Sequence, residues 1–137
     1  MKMTLRVILL LFLIGGIVAY IMYNKPHENI GKASVDLKIT AEALFADFEA
    51  DEMGANEKYL DKLIQVSGKV QDSSTDNNGI TKIILESGGM FGVVCQLDEL
   101  TNHERTEFDI GSSVSFKGKC TGINMDVLLV RCVEVIK

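Results

Sequence analysis

From residue 7 to residue 23 the chain carries no charge and no polar face, only Leu, Ile, Val, Phe, Met, Ala, Gly and Tyr. A helix packed on a soluble core keeps one wet side, and this run has none. At ~1.5 Å per residue it is about 26 Å long, and Leu5 can extend it toward the depth of a bilayer's hydrocarbon. Residues 7–23 therefore read as a membrane helix. Tyr20 and Tyr23 suit the interface, with the ring buried and the hydroxyl wet. Lys2 and Arg6 precede the run, and Lys25 alone lies close behind it. The positive-inside rule then keeps the N-terminus in the cytoplasm and sends the rest outward, to a periplasm or cell surface. A cleaved signal peptide is the alternative. Cleavage after Ala19 would put Ile17 at the −3 position, where a small residue is wanted, and the apolar run continues past Ala19. An uncleaved anchor over residues 1–23 fits better.

Residues 24–38 are polar, hold the single proline, Pro26, and lack apolar periodicity, so they read as a tether. Residues 39–137 are left for one small domain with one core. Charge narrows its partners. Removing Lys2 and Arg6 from the 14 basic residues leaves 12 against 19 acids. So acidic a domain is a poor partner for a polyanion, which argues against nucleic acid.

Thr40 is a fitting N-cap, and Glu42 falls where it complements a helix dipole. Ala41, Leu44, Phe45, Phe48, Ala55 and Tyr59 recur at helical spacing. They predict a helix that either breaks at Gly54 or runs on to Tyr59. After Lys62 the period falls to two. Ile64, Val66, Gly68 and Val70 mark a first strand, and residues 80–85 a second. Phe91, Val93, Cys95 and Leu97 mark a third, Val114, Phe116, Gly118 and Cys120 a fourth, and residues 127–136 the last. Asn77-Asn78-Gly79 and Ser87-Gly88-Gly89 supply turns. Residues 98–107, charged and free of Gly and Pro, predict a short helix.

Five short strands with a helix between the third and fourth is the order of the OB-fold, a Greek-key barrel. Gly68 and Gly118 interrupt strand patterns, where glycine marks the bends that closure requires. The expected fold is mainly β: a five-stranded OB-fold barrel with an N-terminal amphipathic helix, preceded by one transmembrane helix. An open five-stranded sheet with the long helix on one face would satisfy the same pattern.

Certain spacings are more specific. Glu52-x-x-Ala55-Asn56-x-x-Tyr59-x-x-Lys62 leads into Val66-x-Gly68-x-Val70, and Val94-Cys95 follows. Next comes Gly111-x-x-Val114-x-Phe116-Lys117-Gly118-x-Cys120-x-Gly122, and Asp126-Val127-x-Leu129-x-x-Cys132 closes the pattern. Over about residues 40–136 this resembles the bacterial OB-fold family labelled tRNA_anti-like, many members of which look like exported lipoproteins. The resemblance implies the barrel and gives little warrant for tRNA binding, because fold does not fix function. No cysteine precedes Cys95, so anchoring through the helix rather than an acylated cysteine is expected.

Constellations that carry chemistry are few. Cys95, Cys120 and Cys132 fall in predicted strands of a domain placed outside the cytoplasm, where disulfides form if geometry permits. The last strand of an OB barrel lies between the third and fourth, so Cys132 is within reach of Cys120 or Cys95. Three small buried packing residues are the alternative. The chain lacks a Cys-x-x-Cys pair, and His27 and His103 lie far apart, so no metal site is expected. It also lacks a Walker loop, a nucleophile elbow and a His–Asp–Ser set. No catalytic residue and no cofactor are expected, and the protein reads as a non-enzyme. The loop at residues 72–79 fails as a calcium loop, because Leu85 stands where a bidentate Glu is needed.

OB barrels bind across their second and third strands. The candidate ligand face is then Lys82, Ile84, Phe91 and Val93. No Lys or Arg lies between Ile83 and His103, and Phe91 is the sole aromatic of its segment, so base stacking in a basic groove is not expected. The expected ligand is a protein, peptide or saccharide. A nucleic-acid-binding barrel and a structural envelope protein are the alternative readings.

Overall fold

The architecture is that of a computed structural model, which describes residues 2–24 and 29–136. Lys25, Pro26 and His27 lie outside the described residues. The element order is α1 (Lys2–Tyr23), β1 (Leu37–Thr40), α2 (Ala41–Ala50), α3 (Glu52–Tyr59), β2 (Leu63–Thr75), β3 (Thr81–Glu86), β4 (Gly92–Leu97), β5 (Ser113–Asn124) and β6 (Asp126–Glu134). The stretch Thr4–Tyr23 of α1 is long and apolar enough to cross a membrane, and none of it is buried.

The barrel closes because β2 serves two neighbours. Its first half pairs antiparallel with β5, from Leu63↔Lys119 to Lys69↔Ser113. Its second half pairs antiparallel with β3, from Val70↔Leu85 to Thr75↔Thr81. A bulge between Val70 and Asp72 bends the strand from one partner to the other. The remaining ladders are β3–β4 antiparallel, β4–β6 parallel and β6–β5 antiparallel. The last strand thus lies between the third and fourth strands of the barrel, as the OB order requires. The open sheet is ruled out by the β2–β5 ladder.

Two in-strand glycines permit this closure. A Cβ at Gly68 would come within 3.1 Å of the Ala41 Cβ and 3.4 Å of the Leu85 Cβ. A Cβ at Gly118 would sit 2.4 Å from Cys132 Sγ and 3.0 Å from the Val130 carbonyl. The sequence places bends at both positions, and the structure shows what approaches them.

The helical stripe splits at Asp51 rather than Gly54. Asp51 is extended (φ −156°, ψ 93°), ends α2 by donating its N–H to the Asp47 carbonyl, and caps α3 by accepting from Gly54 N at 3.1 Å. Thr40 caps α2, accepting from Ala43 N at 3.2 Å. Leu44, Phe45 and Phe48 are buried, and α2 packs on β2, β3, β4 and β6. Tyr59 from α3 joins Phe48, ring centroids 5.9 Å apart. Its hydroxyl donates to Asp47, which also accepts from Lys58 Nζ at 2.9 Å.

Two segments differ from the sequence reading. Leu37 and Lys38, at the end of the expected tether, open β1, which runs parallel to β2 with Ile39↔Val66 in register. Nearby Ile30 is buried, and Lys117 Nζ donates to the carbonyls of Gly31 (2.6 Å) and Ala33 (3.1 Å). The connection from β4 to β5 has turns and bends where residues 98–107 were expected to be helical. The helices between strands are instead α2 and α3, which precede β2. With α2 already seated on the barrel strands, the β4–β5 connection needs only pins. Phe108 meets Phe116 edge-on at 5.3 Å. Asp98 accepts from Thr101 Oγ1 at 2.6 Å and from Arg131 Nε at 3.3 Å. Burial alone would raise the Asp98 carboxyl, but these bonds hold it below its usual range.

Two predictions follow from this packing. With thiols kept reduced, Gly118→Ala should cost about 1–3 kcal/mol in denaturant unfolding, because the new methyl overlaps a buried sulfur. The Gly118→Ala/Cys132→Ala double variant should recover part of that loss, so that the two changes do not add. Tyr59→Phe should cost about 1 kcal/mol near neutrality. The hydrogen bond from Tyr59, then that from Lys58, lowers the Asp47 carboxyl below its ordinary 3.8. That contribution is complete above about pH 4 and is lost as pH falls through the lowered folded value. The loss of stability with acid over that window should therefore be shallower in Tyr59→Phe.

Candidate ligand-binding face

The outer surface of the β3–β4–β6 sheet is built by register. Ile84 pairs with Val94, and Val94 pairs with Leu128. Their chain neighbours Ile83, Leu85, Val93, Cys95, Val127 and Leu129 are wholly buried, so strand alternation turns these three outward. They form a half-buried apolar row across three strands. The next row pairs Lys82 with Gln96, and β2 adds Asp72 beside Ile84 and Ser74 beside Lys82.

One end of this face is rimmed by two short connections. In the β3–β4 loop, Ser87 Oγ donates to the Phe91 carbonyl. Gly92 N donates to Asp126 Oδ1 at 2.7 Å, which ties that loop to the β5–β6 turn. A Cβ at Gly92 would sit 2.4 Å from the Leu85 carbonyl, so the tie requires glycine. Met90, Phe91 and Met125 stand exposed on these connections, at 85%, 39% and 66%.

Of the four residues read as a ligand face, Lys82 is exposed, Ile84 is half-buried and Phe91 is at the rim. Val93 is a correction. It pairs with Leu85 and points into the core, fully buried. Alternation puts Val93 on the same side as Cys95 and Leu97, so its neighbour Val94 takes the outward position. Leu128 went unnoticed because both faces of β6 are apolar and sequence alone does not say which is wet.

A second concavity gave no sequence signal. It is a cleft of ≈ 830 Å³ where β2 and β5 meet the start of α2 and the chain after β6, with Ser67, Lys69, Glu86, Arg105 and Glu134 among its lining. Ser67 and Ser115 hydroxyls bond across the ladder at 2.7 Å. Arg105 Nε donates to Glu134 Oε2 at 3.0 Å, and its guanidinium lies 4.8 Å from the Phe108 ring centroid. The Glu134 hydrogen bond holds the Arg105 guanidinium above its ordinary range.

The basic residues of β5 are committed within the protein. Lys117 binds the chain at Gly31 and Ala33, and Lys119 Nζ lies 3.2 Å from Asp61 Oδ1. In the β2–β3 loop the Asp76 carboxylate accepts from Asn78 N (2.9 Å) and Ile80 N (3.0 Å), a turn in which Gly79 takes φ +83°. Among the described residues no three His, Cys, Asp or Glu side chains are placed to hold a metal. All three cysteines are buried thiols, and burial, then the neighbouring Cys95, raises the Cys132 thiol well above its ordinary value. Burial raises the Cys120 thiol above its ordinary value.

A family model for tRNA_anti-like proteins matches residues 1–134. The chain belongs to the tRNA_anti-like family. Among solved structures it is similar to a Klebsiella pneumoniae protein described as a putative nucleic acid-binding lipoprotein. The two share 14% identity with a TM-score of 0.58, over 72% of this chain and 92% of that one. At that identity the likeness is one of fold. No curated protein sequence matches. The tRNA_anti-like barrel is therefore established here, and its ligand is a separate question.

The facing of β4 can be tested directly. Val94→Lys should change unfolding free energy by less than about 1 kcal/mol, as a surface substitution does. Val93→Lys should cost about 3–5 kcal/mol or prevent folding, because it puts an unpaired charge in the core.

Proposed function

We propose that this tRNA_anti-like chain is a membrane-anchored, extracytoplasmic binding module, with no catalytic role. Its barrel holds a protein, peptide or saccharide on the outer face of β3, β4 and β6. The observation that carries the reading is the row Ile84–Val94–Leu128, apolar side chains in direct register on the outside of a domain whose core is already filled. The exposed Phe91 and the Met90 and Met125 side chains extend an apolar surface at its rim. Anchoring rests on α1, with Arg6 before the apolar stretch and no Asp or Glu within it. Proteins and sugars both offer apolar faces with hydrogen-bonding edges, which suits a row flanked by Gln96, Ser74 and Lys82.

Nucleic acid is the second reading, favoured by the description of the Klebsiella protein. Charge weighs against it. Lys82 shares the face with Asp72 and Glu86, while Lys117 and Lys119 are engaged elsewhere. A backbone of phosphates needs free cations in a row.

The test uses the full chain in lipid nanodiscs against peptide and glycan arrays and against single-stranded DNA and RNA. The expected result is a peptide or glycan hit that Val94→Glu weakens at least tenfold without shifting the unfolding midpoint. Nucleic-acid binding should stay in the non-specific range of ~10⁻⁴ to 10⁻⁶ M at physiological salt. Nanomolar binding of single strands with a steep salt slope would establish the second reading instead. Placement has its own check: a reporter that fluoresces only in the cytoplasm, fused after residue 137, should stay dark.

A further inference from the structure

Three cysteines share one core, and two of them stand one ladder step apart on neighbouring strands. Cys95 comes from β4 and Cys132 from β6, strands that run parallel side by side. Both are 0% exposed. The ladder pairs Cys95 with Leu129 and Leu97 with Cys132, so β6 carries one residue more than β4 between these pairs. The surplus is a bulge in which Arg131 takes φ 55°. One extra residue would ordinarily reverse every later side chain. Taken up as a bulge, it leaves Leu129 and Cys132 both facing inward, beside Cys95. Both sulfurs are free thiols, and burial first, then the neighbouring Cys95, raises the Cys132 thiol. On the β5 side, Gly118 cedes its Cβ position to Cys132 Sγ. Cys120 is placed differently: it lies opposite Leu129 across the β5–β6 ladder, with the Gly122 backbone as its polar neighbour.

We infer that Cys95 and Cys132 are an oxidative modification site, joined by a disulfide across the β4–β6 seam in an oxidising compartment, with Cys120 remaining a thiol. Two S–H bonds break and one S–S bond forms. The two electrons and two protons pass to the disulfide of a thiol–disulfide oxidoreductase, which becomes a dithiol. Exchange requires a thiolate and access to sulfur. Burial pushes the Cys132 thiol well above its ordinary range, and neither sulfur meets solvent in the closed barrel. The bridge therefore forms while the chain is still folding, and closure then shields it. Its formation in the cell rests on the extracytoplasmic placement proposed above; the pairing itself does not.

The experiment maps the linkage in two preparations of the full chain. Trypsin cuts after Lys82, Arg105, Lys119 and Arg131, which puts each cysteine on a separate peptide. In the first preparation, reduced and unfolded protein is refolded in detergent with a glutathione redox buffer, denatured, alkylated without reduction and digested. The expected product is the Cys95–Cys132 linked peptide with Cys120 alkylated. The Cys120→Ser variant should give the same link. A Cys120–Cys132 or Cys95–Cys120 link, or three alkylated thiols, would overturn the inference. Wild-type peptides decide the matter if the variant fails to fold. The second preparation is taken from membranes and alkylated during lysis. The same linked peptide there supports the bridge in the cell. Three free thiols there, beside a Cys95–Cys132 link in the first preparation, would sustain the pairing and contradict the extracytoplasmic placement.

Discussion

Everything in the barrel depends on β2 pairing with two strands at once. Five strands that did not close would leave two edges of unpaired backbone donors and acceptors. The bulge after Val70 lets one strand satisfy β5 with its first half and β3 with its second. Closure in turn fixes the parallel contact of β4 with β6, because β6 has no other place between β4 and β5. The apolar outer row and the buried cysteine pair both arise on that parallel seam. A barrel this small is also not filled by its strands alone. Leu44, Phe45 and Phe48 from α2 complete the core, each worth ~1.5–3 kcal/mol when fully buried. Their sum is comparable to the whole stability of an ordinary domain, so α2 is a structural part of the barrel.

The elements with long, consistent patterns were legible in the sequence. Period-two alternation located the first, third and fourth barrel strands, and apolar runs between turn residues located the other two. Gly118 sits at a register shift of β5, whereas the bulge of β2 falls after Val70 rather than at Gly68. Other features depended on facts outside the local pattern. β1 is only four residues, Leu-Lys-Ile-Thr, and becomes a strand because Ile39 and its neighbours lie beside β2. Residues 98–107 lack Gly and Pro, which permits a helix without requiring one. The buried Asp98 carboxylate and the Phe108 ring hold that chain in turns instead. The helix break moved from Gly54 to Asp51 because an Asp can end one helix and cap the next, a stronger local device than a glycine's lack of side chain.

The candidate face shows the same division. Lys82 and Ile84 lie on the outward side of β3, where burial alternates along the strand although Ile83, Ile84 and Leu85 are all apolar. Val93 and Val94 are adjacent valines, and only the pairing with Leu85 and Ile84 tells core from surface. The outward β6 residue Leu128 is hidden in an apolar strand in the same way. The acidic excess was visible at once, and the structure adds that Lys117 and Lys119 are tied to the chain at residues 31–33 and to Asp61. A helix apolar enough to cross a membrane, a closed barrel and an uncharged outer row are the three features on which the proposed binding module rests.

Closure by the β2–β5 ladder is the claim on which the rest stands, and residue-resolved amide hydrogen exchange on the full chain in nanodiscs tests it most directly. The account predicts that ladder amides in residues 63–69 and 113–119 exchange as slowly as those of β3 and β4, through global unfolding. Fast exchange confined to residues 63–69 and 113–119, with β3 and β4 still protected, would mean an open sheet with two free edges. The seam, the outer row and the cysteine pairing would then lose their common basis.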